Sequence, residues 1–131
     1  MTGRYWSSEV ANAMSIITMV LAALTAAECF FIFFLETIAT SSQRTSKVFG
    51  MSVEELNRKS VNVLFKNQGV YNGLIGVLIL LALFVFASKT AVVCLMGYIV
   101  AVAVYGSFTS NPRIILMQGG LPVLTLVSCL F

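Results

Sequence analysis

One apolar run extends from Ala11 to about Ile38 and carries two glutamates, Glu28 and Glu36, inside it. It exceeds the roughly 20 apolar residues that a bilayer crossing requires. It is also longer than the roughly 7–15-residue apolar core of a signal peptide, so with Arg4 ahead of it the run reads as a retained first transmembrane helix. An acidic side chain near the middle of such a helix costs about 2.5–3.5 kcal/mol to insert. A chain that keeps two of them has a use for them: holding helices together, or handling a cation, a proton or a polar ligand.

Composition agrees with a membrane setting. Of 131 residues, 59% are hydrophobic and only 10% charged, against about 25% charged in soluble domains. The chain reads as one integral membrane domain over residues 1–131. The net charge of +3 is not gathered into a basic stripe interleaved with aromatics, which argues against nucleic acid as a partner. There is no histidine, and Cys29, Cys94 and Cys129 lie far apart in apolar stretches without a CxxC spacing. No metal site and no cofactor are expected, and the cysteines read as small apolar fillers.

Four apolar segments follow one another, at about 12–40, 68–87, 91–109 and 112–131. Lipid cannot satisfy exposed backbone groups, so each is expected to be helical. Ser88-Lys89-Thr90 makes a tight turn, and Asn111-Pro112 supplies a helix cap followed by proline at the first helical position. The expected fold is all-α: a four-transmembrane-helix antiparallel bundle with a short interfacial helix in the first loop. That loop, 41–67, contains Ser52-Val53-Glu54-Glu55, which has capping-box spacing. Glu54–Arg58 and Glu55–Lys59 then support the helix at i, i+4, and Val53, Leu56 and Leu64 would face the bilayer. The competing reading is a plain soluble loop helix.

Lys and Arg set the orientation. Arg44, Lys47, Arg58, Lys59, Lys66 and Arg113 fall on one side of the membrane, and Arg4 and Lys89 on the other. The positive-inside rule puts the large loop in the cytoplasm and both termini outside.

That topology brings polar groups from all four helices to one depth: Glu36 from the first; Asn67, Gln68, Tyr71 and Asn72 from the second; Tyr105 from the third; Arg113 and Gln118 from the fourth. Glu28 lies about 80° around the helix from Glu36 and about 12 Å along it, near the membrane midplane. Expected partners for Glu36 are Arg113 or the amides of Asn67, Gln68 and Asn72. Such a carboxylate is either a clamp between helices or a ligand site, and the sequence leaves both open. Gly69, Gly73 and Gly76 share a stripe, matched by Ala22 and Ala26, and read as close helix packing. Gln118-Gly119-Gly120-Leu121-Pro122 allows a kink.

No HExxH, GxSxG or P-loop pattern is present. The leading reading is binding or transport of a small polar or cationic molecule through a polar inner-leaflet pocket. A structural or accessory membrane subunit is the alternative. A lipid-modifying enzyme using Glu36 and Tyr105 as an acid–base pair ranks third. The bilayer itself is a partner under all three, and self-association into a homo-oligomer is compatible with each.

Several segments together carry a resemblance: Phe33-Phe34-Leu35-Glu36, Lys47-Val48-Phe49-Gly50, Asn67-Gln68-Gly69-Val70-Tyr71-Asn72-Gly73, Tyr105-Gly106-Ser107-Phe108-Thr109 and Gln118-Gly119. They resemble a bacterial family of small integral membrane proteins, the domain of unknown function thirteen hundred and four. The resemblance implies four helices, a bacterial inner membrane and recurrent polar positions at Glu36, Asn67, Gln68, Tyr71, Asn72 and Gln118. Where that family's pattern often has a histidine after a first-helix glutamate, this chain has Cys29 after Glu28, so no imidazole role carries over.

Overall fold

The computed structural model describes residues 13–109 and 113–131, with side chains of the second stretch from 116 onward. Every regular element among the described residues is helical: α1 (Ile16–Phe33), continued by a π-helical turn (Phe34–Ile38); α2 (Gln43–Phe49); α3 (Val53–Asn57); α4 (Lys59–Leu80), continued by a second π turn (Leu81–Val85); α5 (Lys89–Thr109); and α6 (Arg113–Ser128). Three stretches are long and apolar enough to cross a membrane: Ile16–Ile38 with 23 residues, Lys59–Val85 with 27 and Lys89–Thr109 with 21. The described residues are all-α, and their three long apolar helices suggest a membrane protein.

The fourth expected span falls short. α6 has 16 residues, a rise of about 24 Å against a hydrocarbon core of about 30 Å. It starts at Arg113, and Gln118, Gly119 and Gly120 interrupt its apolar run. The Asn111-Pro112 cap lies outside the described residues.

The first loop is also shorter than expected. α4 begins at Lys59 rather than at about Gln68. Residues 59–67 are polar enough to interrupt the apolar run, but none of them breaks a helix, so the helix continues through them. Ser52 does cap α3, accepting from the Glu55 N–H at 3.1 Å. α3 then stops after five residues, because Arg58 is extended (φ −60°, ψ 132°). The i, i+4 pairs are therefore replaced by one i, i+3 pair, Arg58 to Glu55 at 2.9 Å. Leu56 is fully buried instead of facing lipid, while Leu64 is exposed.

The described residues divide into two compact units. The first comprises residues 13–26, 78–109 and 113–131. In it α5 packs along α6, and Ile79, Ala82, Leu83, Val92, Met96, Ala103 and Thr125 are buried. A hydroxyl pair, Thr18 Oγ1 and Ser128 Oγ at 2.7 Å, ties α1 to α6. The second π turn closes with the Phe86 N–H on the Leu81 carbonyl at 2.8 Å. Ala87 then takes a positive φ of 46°, and Ser88 caps α5 by accepting from the Ala91 N–H. The sharp turn thus falls just ahead of the Ser88-Lys89-Thr90 position expected for it. Of the cysteines, Cys94 is exposed on α5 and fills no core, whereas Cys29 is buried; none of the three is in a disulfide.

The second unit is Ala27–Val77. Here the end of α1 and its π turn run antiparallel to α4. Thr37 meets Lys66 and Gly69, Glu36 meets Gly69 and Asn72, and Phe33 meets Gly73, so α4 numbers rise as α1 numbers fall. Glycine is required at position 69. A Cβ there would overlap Thr37 Oγ1 and lie 3.0 Å from Glu36 Cβ. The stripe reading is borne out for Gly69 and Gly73. Phe49 and Phe65 meet edge to face, with centroids 5.2 Å apart.

Candidate functional site

The π turn at Phe34–Ile38 is what places Glu36. Its closing bond runs from the Ala39 N–H to the Phe34 carbonyl at 2.8 Å, an i→i+5 bond that widens the helix by one residue per turn. Widening leaves carbonyls without their usual α-helical donors, and buried carbonyls need partners. Threonines supply them. Thr40 Oγ1 donates to the Glu36 carbonyl at 2.6 Å, and Thr45 Oγ1 reaches the carbonyls of Ala39 (2.7 Å) and Leu35 (3.1 Å). Both threonines are buried. The carbonyls of Leu35, Glu36 and Ala39 thereby gain hydroxyl partners, the Thr45 proton being shared between two of them, and the Glu36 side chain meets α4 at Asn72.

Glu36 is 5% exposed. Asn72 Nδ2 donates to Glu36 Oε1 at 3.0 Å and also to the Gln68 carbonyl at 3.2 Å, which sets the amide's orientation. Of the expected partners, Asn72 is therefore the one that reaches Glu36 among the described residues. Asn67 and Gln68 are exposed, and Tyr71 is 68% exposed, so their side chains turn away from the carboxylate. Glu28, on α1 in the same unit, is half-buried and accepts no hydrogen bond among the described residues. Tyr105 and Gln118 belong to the other unit. There, Tyr105 is 72% exposed and Gln118 half-buried. The Arg113 side chain lies outside the described residues.

A carboxylate has about four acceptor positions. Glu36 uses one of them, on one oxygen, for a neutral amide. The arrangement can therefore do two things: clamp α1 to α4, and accept further donors from a ligand.

Just beyond the turn lies an open depression of about 270 Å³, lined by Ile38, Thr40, Ser41, Ser42, Asn62 and Lys66 among others. Ser41, Asn62 and Lys66 were not singled out from sequence. The readable signal was the hydroxyl run Thr40-Ser41-Ser42 directly after a membrane helix.

The family model described as "Protein of unknown function (DUF1304)" matches residues 11–130. A protein of Lactococcus lactis subsp. lactis (strain IL1403), "Uncharacterized protein YpaA", is 54% identical over 119 residues, covering 90% of this chain and 100% of that protein. No solved structure matches.

Proposed function

The chain belongs to the DUF1304 family, and we propose that it is a multi-pass protein of the bacterial inner membrane that binds a small cationic or polar molecule at Glu36. The observation that carries this reading is a buried carboxylate in a π turn of a helix long enough to cross a membrane, held by one neutral amide. Intramembrane acids are costly and mark ligand, ion or proton pathways, and π turns concentrate at functional sites. Glu28, two helical turns away and half-buried, is a second carboxyl that a cation would meet in moving along α1, which extends the reading from binding to transport. Asn67, Gln68 and Tyr71, exposed on α4 in the same unit, are assigned to the approach that such a molecule takes. The positive-inside rule puts the segment holding α2 and α3, with Arg44, Lys47, Arg58 and Lys59, in the cytoplasm, and the residues preceding α1 outside.

The test is equilibrium binding of tetraphenylphosphonium to the purified full chain in neutral detergent. Glu36→Gln is nearly isosteric and keeps an acceptor for Asn72, so it preserves the fold while removing the charge. Binding weaker by about tenfold or more in Glu36→Gln, with a smaller loss in Glu28→Gln, supports the reading. Equal binding by wild type and both variants removes it.

A second reading has its own observation. Gly69 against Thr37, Thr37 Oγ1 on the Lys66 carbonyl at 3.0 Å and Asn72 on Glu36 form a continuous interlock between two helices. A structural or accessory subunit needs nothing more. Under that reading Glu36→Gln lowers the thermal midpoint, and no cation raises it in the wild type.

A further inference from the structure

The depression at the end of the first π turn has a chemistry opposite to that of Glu36. Its lining includes one cation, Lys66, and no carboxylate. Its hydrogen-bonding groups are not equivalent. The Thr40 hydroxyl proton is committed to the Glu36 carbonyl. Asn62 Nδ2 is committed to Ser41 Oγ at 3.3 Å and to the Leu56 carbonyl at 3.2 Å. Ser42 Oγ receives the Thr45 N–H and, because the Thr45 hydroxyl proton goes to backbone carbonyls, donates its own proton to Thr45 Oγ1 at 3.0 Å. Ser41 differs, because its oxygen accepts from Asn62 and its own proton is left to donate outward. The Lys66 ammonium is exposed and carries three donors. Among the described residues Lys66 makes no ion pair; the one ion pair of this unit joins Arg58 to Glu55. What the depression offers is a positive charge and unclaimed donors, which suits a phosphate oxygen.

The rim identifies which kind of phosphate. Ile38 lines the depression and is 65% exposed, so an apolar surface adjoins the donors. Val63 and Leu64, on the turn of α4 before Lys66, are exposed as well. The volume of about 270 Å³ falls just below the roughly 300–1,000 Å³ of whole-ligand pockets, a size for a headgroup whose chains lie elsewhere. Further basic residues, Arg44, Lys47, Arg58 and Lys59, lie in the same unit, as in juxtamembrane segments that attract anionic lipid.

We propose that this depression seats the headgroup of an anionic glycerophospholipid, with the Lys66 ammonium and the Ser41 hydroxyl donating to its phosphate and Ile38 supporting the start of an acyl chain. The inference rests on the membrane reading of α1 and α4 and is independent of cation binding at Glu36. Lys66 variants leave tetraphenylphosphonium binding unchanged, and Glu36→Gln leaves lipid retention unchanged.

The experiment is native mass spectrometry of the full chain in neutral detergent, titrated with phosphatidylglycerol or phosphatidylcholine. The wild type retains phosphatidylglycerol in preference to phosphatidylcholine. Lys66→Gln, a change at an exposed position, weakens phosphatidylglycerol retention about tenfold, the worth of a charge-assisted hydrogen bond. Ser41→Ala weakens it less, Lys66→Arg retains it, and Lys47→Gln, outside the depression, matches the wild type. Equal retention of the two lipids, or an unchanged Lys66→Gln variant, overturns the proposal. Inorganic phosphate that raises the thermal midpoint of the wild type but not of Lys66→Gln, with no added effect of phosphatidylglycerol, assigns the site to a free anion and overturns the lipid.

Discussion

The two compact units solve the same problem, polar groups inside apolar helices, in different ways. In the first unit the buried polar side chains among the described residues are hydroxyls. Thr25 donates to the Leu21 carbonyl and Thr125 to the Leu121 carbonyl, each four residues back, and Thr18 pairs with Ser128. Each hydroxyl is satisfied by its own helix or by another hydroxyl, so no charge needs an answer. In the unit of Ala27–Val77 hydroxyls also close the backbone, at Thr40 and Thr45, but a carboxylate is left with acceptor positions to fill. Neutral groups that bond back to their own turn are compatible with plain packing. A buried carboxylate held by a single amide keeps capacity for something further. The candidate site therefore belongs to the second unit even though both contain buried polar side chains.

Five substitutions, one of them a control, test that contrast, all read by thermal or denaturant unfolding of the purified protein in detergent. The largest effect is expected at Gly69→Val, where the new side chain must displace Thr37 and the α1 backbone. The cost is about 3 kcal/mol, at the upper end of overpacking effects. Gly97→Ala in the other unit is the control, since nothing lies within 4 Å of a Cβ there, and it should be neutral or gain about 0.5–1 kcal/mol. Equal losses at Gly69 and Gly97 would erase the distinction. Next, Asn72→Leu strips Glu36 of its donor and should cost about 2 kcal/mol. A neutral result would mean that the carboxylate is not held as described. Thr45→Val, which leaves the Leu35 and Ala39 carbonyls short of a donor, should cost about 1–2 kcal/mol. The smallest effect is Thr18→Val. It removes an interhelical hydroxyl pair, for which about 0.6 kcal/mol is typical within membranes. A Thr18 effect as large as that of Asn72 would show the first unit to be as dependent on its polar contacts as the second.

Much of this was legible in the residues. Long apolar runs announce helices, because a bilayer leaves the backbone no other partner. The spacing of Gly69 and Gly73 marks a close approach, and Ser52 announces a cap. Asn72 stands among the partners expected for Glu36 because the antiparallel order of α1 and α4 follows from a simple return of the chain. The parts that were not legible depend on tertiary context. Nothing in Phe34-Leu35-Glu36-Thr37-Ile38 departs from an ordinary helical pattern, so its π turn is invisible until Thr40 and Thr45 are seen taking the carbonyls. Leu56 looks like a lipid-facing residue and is buried because α3 stops at Asn57 and the chain turns back at Arg58. The polar stretch 59–67 resembles a loop because hydropathy measures preference for lipid rather than helicity. The fourth segment looks long enough to span, but its helix runs only 16 residues and holds Arg113, Gln118 and two glycines in its first turns.

The π turn at Phe34–Ile38 also changes the angular bookkeeping of the helix that contains it. An α-helix advances about 100° per residue, and a turn closed at i→i+5 accommodates an extra residue. Positions on either side of it therefore no longer share the azimuth that a seven-residue separation implies. Deleting Phe34 or Leu35 would return the segment to ordinary α register and swing everything downstream, Glu36 included, by roughly one residue's rotation, carrying the carboxylate off the asparagine while leaving the composition of the chain almost unaltered.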